Sequence, residues 1–100
     1  MIHYYDMRLD PIERKALHNA LKPVISPVFL FGSRVDDAAR GGDIDILILS
    51  GDDPFALSRR VARDFFLHCE EKIDVVVMNP DSLTREEQAF LNSIRLERIQ

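Results

Sequence analysis

Two short motifs in this chain have the residue types and spacing to do phosphate chemistry. Gly32-Ser33 follows an apolar run, Val28-Phe29-Leu30-Phe31, and Asp43-Ile44-Asp45 opens a second run that lasts to Leu49. A strand turns alternate side chains to one face, which sets Asp43 beside Asp45 and points Ile44, Ile46 and Ile48 the other way. Neighbouring carboxylates raise one another's pKa unless a cation lies between them. Mg²⁺ takes oxygen ligands, commonly one or two carboxylates together with phosphate oxygens. A turn with free backbone N–H groups can hold those phosphates.

Asp74 strengthens this reading. It is the only carboxylate in a third apolar run, Ile73 to Met78, and alternates with Ile73, Val75 and Val77. If those residues and Ile44, Ile46 and Ile48 pack under the same helices, Asp74 shares the other face with Asp43 and Asp45. Carboxylates grouped on one sheet face make a poor core. They make a good cradle for a pair of metal ions, which can stabilise the attacking and leaving oxygens of an in-line phosphoryl displacement.

The elements that must position these residues are legible in outline. Asp10-Pro11-Ile12-Glu13 reads as a helix start with a capping box, and Ile12, Ala16, Leu17, Ala20 and Leu21 recur at helical spacing. Pro23 and Pro27 end that helix. Residues 28–31 form a buried strand, 32–42 a loop with one helical turn around Asp37 to Arg40, and 43–49 a second strand. Asp53 and Pro54 start a helix with Leu57, Val61, Phe65 and Cys69 on its apolar stripe, ending near Glu71. Residues 73–78 are a third strand. Thr84 and Glu87 form a second capping box, opening a terminal helix with Phe90, Leu91, Ile94 and Leu96 on its buried side. The expected fold class is α+β in two layers, a small mixed β-sheet covered by helices on one face.

At 100 residues the chain reads as a single domain over 1–100. Hydrophobic residues at 46% and charged residues at 30% describe a globular chain rather than a disordered one. A net charge of -4 argues against an extended nucleic-acid surface, which needs clustered Lys and Arg. A lone cysteine excludes an intrachain disulfide framework. Neither a bilayer-spanning stretch nor a signal-peptide pattern is visible, so a cytoplasmic setting without a membrane is expected.

Phe31-Gly32-Ser33-Arg34, Gly42-Asp43-Ile44-Asp45-Ile46-Leu47 and Ile73-Asp74-Val75 resemble the pattern of the DNA-polymerase-β-like nucleotidyltransferases, most closely the minimal nucleotidyltransferases. The likeness covers roughly residues 10–80. One departure is that Val35-Asp36-Asp37 stand where many minimal members have a glycine. The resemblance implies the nucleotidyltransferase fold, with ATP as substrate and two Mg²⁺ ions. It implies that Gly32 and Ser33 contact the β- and γ-phosphates and that Asp43 and Asp45 hold both metals. Asp74 would ligate the catalytic metal near the attacking hydroxyl, which displaces pyrophosphate at the α-phosphorus.

Minimal members are associated with helical HEPN proteins in toxin–antitoxin modules. The resemblance therefore implies an antitoxin that transfers AMP from ATP to a tyrosine hydroxyl of a HEPN ribonuclease toxin, in a hetero-oligomer with it. The short chain suits an acceptor brought by another polypeptide. Two other readings stand beside this one: a non-catalytic module that neutralises its partner by contact, and a small-molecule nucleotidyltransferase.

Several residues have plainer readings. Arg34 could meet phosphate through its guanidinium or pair with Asp36 or Asp37. Asp36-Asp37 and Asp52-Asp53 suit loop solvation and a helix cap, and Arg40 faces solvent. His3, His18 and His68 lack metal-ligand spacing, and Cys69 fits a buried stripe better than a nucleophile. Arg59, Arg60 and Arg63 read as an exposed helix face that an acidic partner could use.

Overall fold

Side-chain caps fix where the helices begin. Asp10 accepts from the Glu13 amide at 2.8 Å while Glu13 accepts from the Asp10 amide at 2.8 Å, so two otherwise orphaned donors are satisfied at once. Thr84 and Glu87 repeat the arrangement, and Asp53 accepts from the amides of Phe55 and Ala56. The computed structural model describes residues 9–35 and 43–100. The order is α1 (Pro11–Leu21), β1 (Val28–Phe31), a 3-10 helix (Gly32–Val35), β2 (Ile44–Leu49), α2 (Pro54–Phe66), β3 (Ile73–Met78), α3 (Arg85–Ser93) and β4 (Glu97–Arg98). The helical turn expected around Asp37 to Arg40 lies outside the described residues, as do His3, Asp36 and Gly42.

The strands line up as β3-β2-β1-β4 in one mixed sheet. β1 runs antiparallel to β2 and to β4, and β2 runs parallel to β3 through the α2 crossover. The expected alternation holds. Val28, Leu30, Ile44, Ile46 and Ile48 are fully buried on the face under α1 and α2, with Ile73, Val75 and Val77 packed against them. Burying apolar surface at about 25 cal/mol per Å² is what ties the two helices to this face. α3 reaches the opposite face, where Phe90 meets Phe31 edge-on at 5.6 Å.

The end of the chain departs from the sequence reading. The terminal helix stops at Ser93 rather than running on toward Leu96, and Glu97–Arg98 form an edge strand against β1. Ile99 is buried, and the Gln100 amide donates to the carbonyls of Leu21 at 2.9 Å and Val24 at 2.6 Å. Those contacts satisfy carbonyls where α1 ends, a need that every helix terminus has. No helix among the described residues is long and apolar enough to cross a membrane.

Candidate functional site

Strand register brings the carboxylates together. In the parallel pair, Asp45 lies opposite Asp74, and in the antiparallel pair Phe31 lies opposite Asp45. Cross-strand partners point to the same face, so Phe31, Asp45 and Asp74 form one row across three strands. Asp43 sits immediately before β2, in the same alternation as Asp45. The three aspartates lie at the N-terminal ends of the two parallel strands.

Gly32 closes this end of the sheet. Its φ of 76° is a backbone conformation that favours glycine. A Cβ added there would run into the Asp45 carboxylate. The turn after β1 and the carboxylate on β2 therefore approach more closely than any side chain would allow. Gly32 is exposed, so its backbone faces solvent beside that carboxylate.

The electrostatics follow from this crowding. Burial, then the charges of Asp74 and Asp43, hold the Asp45 carboxyl above the ordinary carboxylate range. Lys72 answers part of the charge. Its Nζ lies 3.3 Å from Asp43 Oδ2 and 3.9 Å from Asp74 Oδ1, and the ammonium is held more basic by its hydrogen bond to Asp43. Lys72 is two residues before Asp74, the strand spacing that shares a face. Sequence reasoning passed over it, although that spacing was the signal.

This donor set suits a hard divalent cation. Every ligand is an anionic oxygen, Asp45 is destabilised by its neighbours, and a cation is already drawn in between two members. Asp43 and Asp74 have side chains 45% and 47% exposed, so the site opens to solvent on the side where substrates would arrive.

Arg34 sits elsewhere. Its Nη1 donates to Glu13 Oε1 at 2.8 Å and its Nη2 lies 3.5 Å from Glu71 Oε2. Asp36 and Asp37, the pairing partners weighed from sequence, lie outside the described residues. Asp10, Glu13 and Glu71 bring ligand atoms within 4.8 Å of one another, with Arg34 bound to Glu13. Burial alone would raise the buried Glu13 carboxyl, but hydrogen bonds to Glu71, Arg34 and the Asp10 amide outweigh it and hold it low. Glu71 is pushed up to about 7, first by its hydrogen bond to Glu13. Cys69 is buried, and that burial raises its thiol, which leaves it inert as a nucleophile. His18 and His68 are exposed, and Asp53 is the cap expected of it.

Two comparisons bear on the site. No curated protein matches the chain significantly. The family model described as "Polymerase beta, Nucleotidyltransferase" matches residues 15–98, a span that holds Gly32, Ser33, Asp43, Asp45 and Asp74.

Proposed function

The chain belongs to the polymerase beta nucleotidyltransferase family, and from that premise we propose that it transfers AMP from Mg-ATP to a protein hydroxyl. The acceptor we assign is a tyrosine of a partner HEPN ribonuclease toxin, which makes this chain its antitoxin. The observation that carries the transfer is the row in which Gly32 closes on Asp45 and Asp45 faces Asp74. An exposed turn backbone beside grouped carboxylates is what a metal-bound triphosphate needs. The half-exposed Asp43 and Asp74 leave room for an acceptor carried on a protein surface. The HEPN assignment rests on the resemblance to minimal nucleotidyltransferases.

In this reading Gly32 and Ser33 hold the β- and γ-phosphates, with Arg34 behind the turn. Asp43, Asp45 and Asp74 hold the two Mg²⁺ ions, which when bound neutralise carboxylate and triphosphate charge. Asp74 lies nearest the incoming hydroxyl and takes its proton. The hydroxyl oxygen forms a bond to the α-phosphorus as the bond to the bridging oxygen breaks, and pyrophosphate leaves. The protein contributes positioning and charge stabilisation.

Asp43→Ala or Asp45→Asn should abolish transfer of label from α-labelled ATP to a co-expressed HEPN protein. Persistent transfer by both variants would sink the assignment. The non-catalytic reading has one observation in its favour: Lys72 already spans Asp43 and Asp74, so the acidic face is partly neutralised without metal. Toxin neutralisation in cells by the triple aspartate-to-alanine variant would favour that reading.

A further inference from the structure

α2 covers the core with Leu57, Val61 and Phe65, yet its outer face is neither uniformly polar nor closed. Phe55, Phe66 and Leu67 are 69%, 57% and 73% exposed. Between them stand Arg59, Arg60 and Arg63. Arg59 lies over the Phe55 ring, 5.2 Å from its centroid, and Arg60 keeps a buried Nε without an acceptor. Arg63 is 71% exposed, with Asp64 3.7 Å from its Nε. In a chain of net charge -4 this stripe is a local positive surface.

Two shallow grooves flank the stripe and share Arg63. One, of about 570 Å³, is lined by Phe55 and the three arginines. The other, of about 580 Å³, runs past Phe66 and Leu67 to Glu71 and Lys72. Lys72 is the residue whose ammonium reaches Asp43 and Asp74. The groove beside α2 thus ends at the N-terminal edge of β3, on the helix side of the sheet, and from that edge Lys72 reaches round to the aspartates on the other face.

We infer that the outer face of α2 is the docking surface for the acceptor protein, which lays an acidic segment with an apolar anchor along it. This rests on the transfer reading above and adds the surface that reading lacks. Acidic side chains would meet the guanidinium groups of Arg59, Arg60 and Arg63. The apolar anchor would cover Phe66 and Leu67. The hydroxyl to be modified follows on the Lys72 side. Aromatic and arginine side chains dominate protein-interface energetics, which suits this composition. RNA fits less well, since the exposed Phe66 and Leu67 call for an apolar anchor that a phosphate backbone does not carry.

The test places a photoreactive residue at Leu67 of the full chain and adds α-labelled Mg-ATP in an extract of its native cells. The crosslinked protein should be the one that takes label. Arg59→Glu with Arg63→Glu should lower both crosslinking and label transfer about tenfold or more. Mg-ATP binding by the variant alone, followed by calorimetry, should stay unchanged. If that variant fails to fold, Phe66→Ala with Leu67→Ala provides the same readouts. Undiminished label transfer by folded variants overturns the docking surface while leaving the transferase reading intact. Crosslinking to RNA or to a second copy of the chain overturns it too. If the wild-type chain binds no Mg-ATP and labels no protein, the transfer reading fails and the docking surface with it.

Discussion

Two regions of this molecule gather three carboxylates around one cation, and they behave as opposites. At the N-terminal ends of β2 and β3, Asp43, Asp45 and Asp74 meet Lys72. Behind the turn that follows β1, Asp10, Glu13 and Glu71 meet Arg34. Lys72 is a compact charge on a flexible stem, 69% exposed, held at 3.3 Å and 3.9 Å. Arg34 is a planar fork, 12% exposed, against a Glu13 that is 2% exposed. A guanidinium in that setting locks elements together, whereas an exposed ammonium can swing away. The difference teaches that a tight acidic cluster is no better metal site than a loose one. The tight cluster already has its cation, and the loose one can exchange its own.

That contrast can be broken most sharply at Asp45. Asp45→Asn should reduce nucleotidyl transfer below detection yet raise Tm, because it removes a carboxyl that its neighbours destabilise. Loss of both activity and stability would mean the strand cluster is structural. Glu13→Ala should do the reverse damage, about 3 kcal/mol of stability by denaturant titration, because the mostly buried Arg34 loses the carboxylate it holds at 2.8 Å. A neutral result would break the comparison from the other side. Lys72→Ala should leave stability nearly unchanged, as expected of an exposed ion pair, and calorimetric titration should find Mg²⁺ bound more tightly. Unchanged Mg²⁺ affinity would mean that Lys72 does not compete for the site.

The smallest effect is one of pH. Glu71 holds its proton in the folded state up to about 7, against an ordinary value of 4.5. Its contribution to stability is therefore complete below 4.5 and is lost as pH rises through about 7. Asp45, also raised, adds to the same slope, and Glu13, held low, opposes it. Glu71→Gln should flatten the fall in Tm between pH 4.5 and 7, a range set by its own shift. The change is modest, since the Glu71 side chain is 46% exposed.

Much of the fold was legible because it obeys local rules. Asp10 with Glu13 and Thr84 with Glu87 announce helix starts through contacts three residues apart. Alternation placed Ile44, Ile46 and Ile48 in the core, and the same alternation placed the aspartates opposite them. What escaped depends on distance in sequence. The Glu13–Arg34 bond spans 21 residues, and no periodicity reports it. β4 is only Glu97 and Arg98, too short to alternate, and exists because Ile99 is buried and Gln100 reaches Leu21 and Val24. Leu47, on the carboxylate face, is fully buried, so that face is not open to water along its whole length.

The pairing of β2 with β3, Asp45 to Asp74 and Ile46 to Val75, does two jobs with one set of hydrogen bonds. A slip of either strand by a single residue would exchange its two faces. Asp45 or Asp74 would then be driven under α1 and α2, and isoleucines or valines would be turned outward. The misaligned state is thus penalised by the full cost of hiding an ion in oil as well as by lost apolar contact. The aspartates thus also proofread the assembly of the sheet, because the register that buries the isoleucines is the one that sets Asp45 beside Asp74.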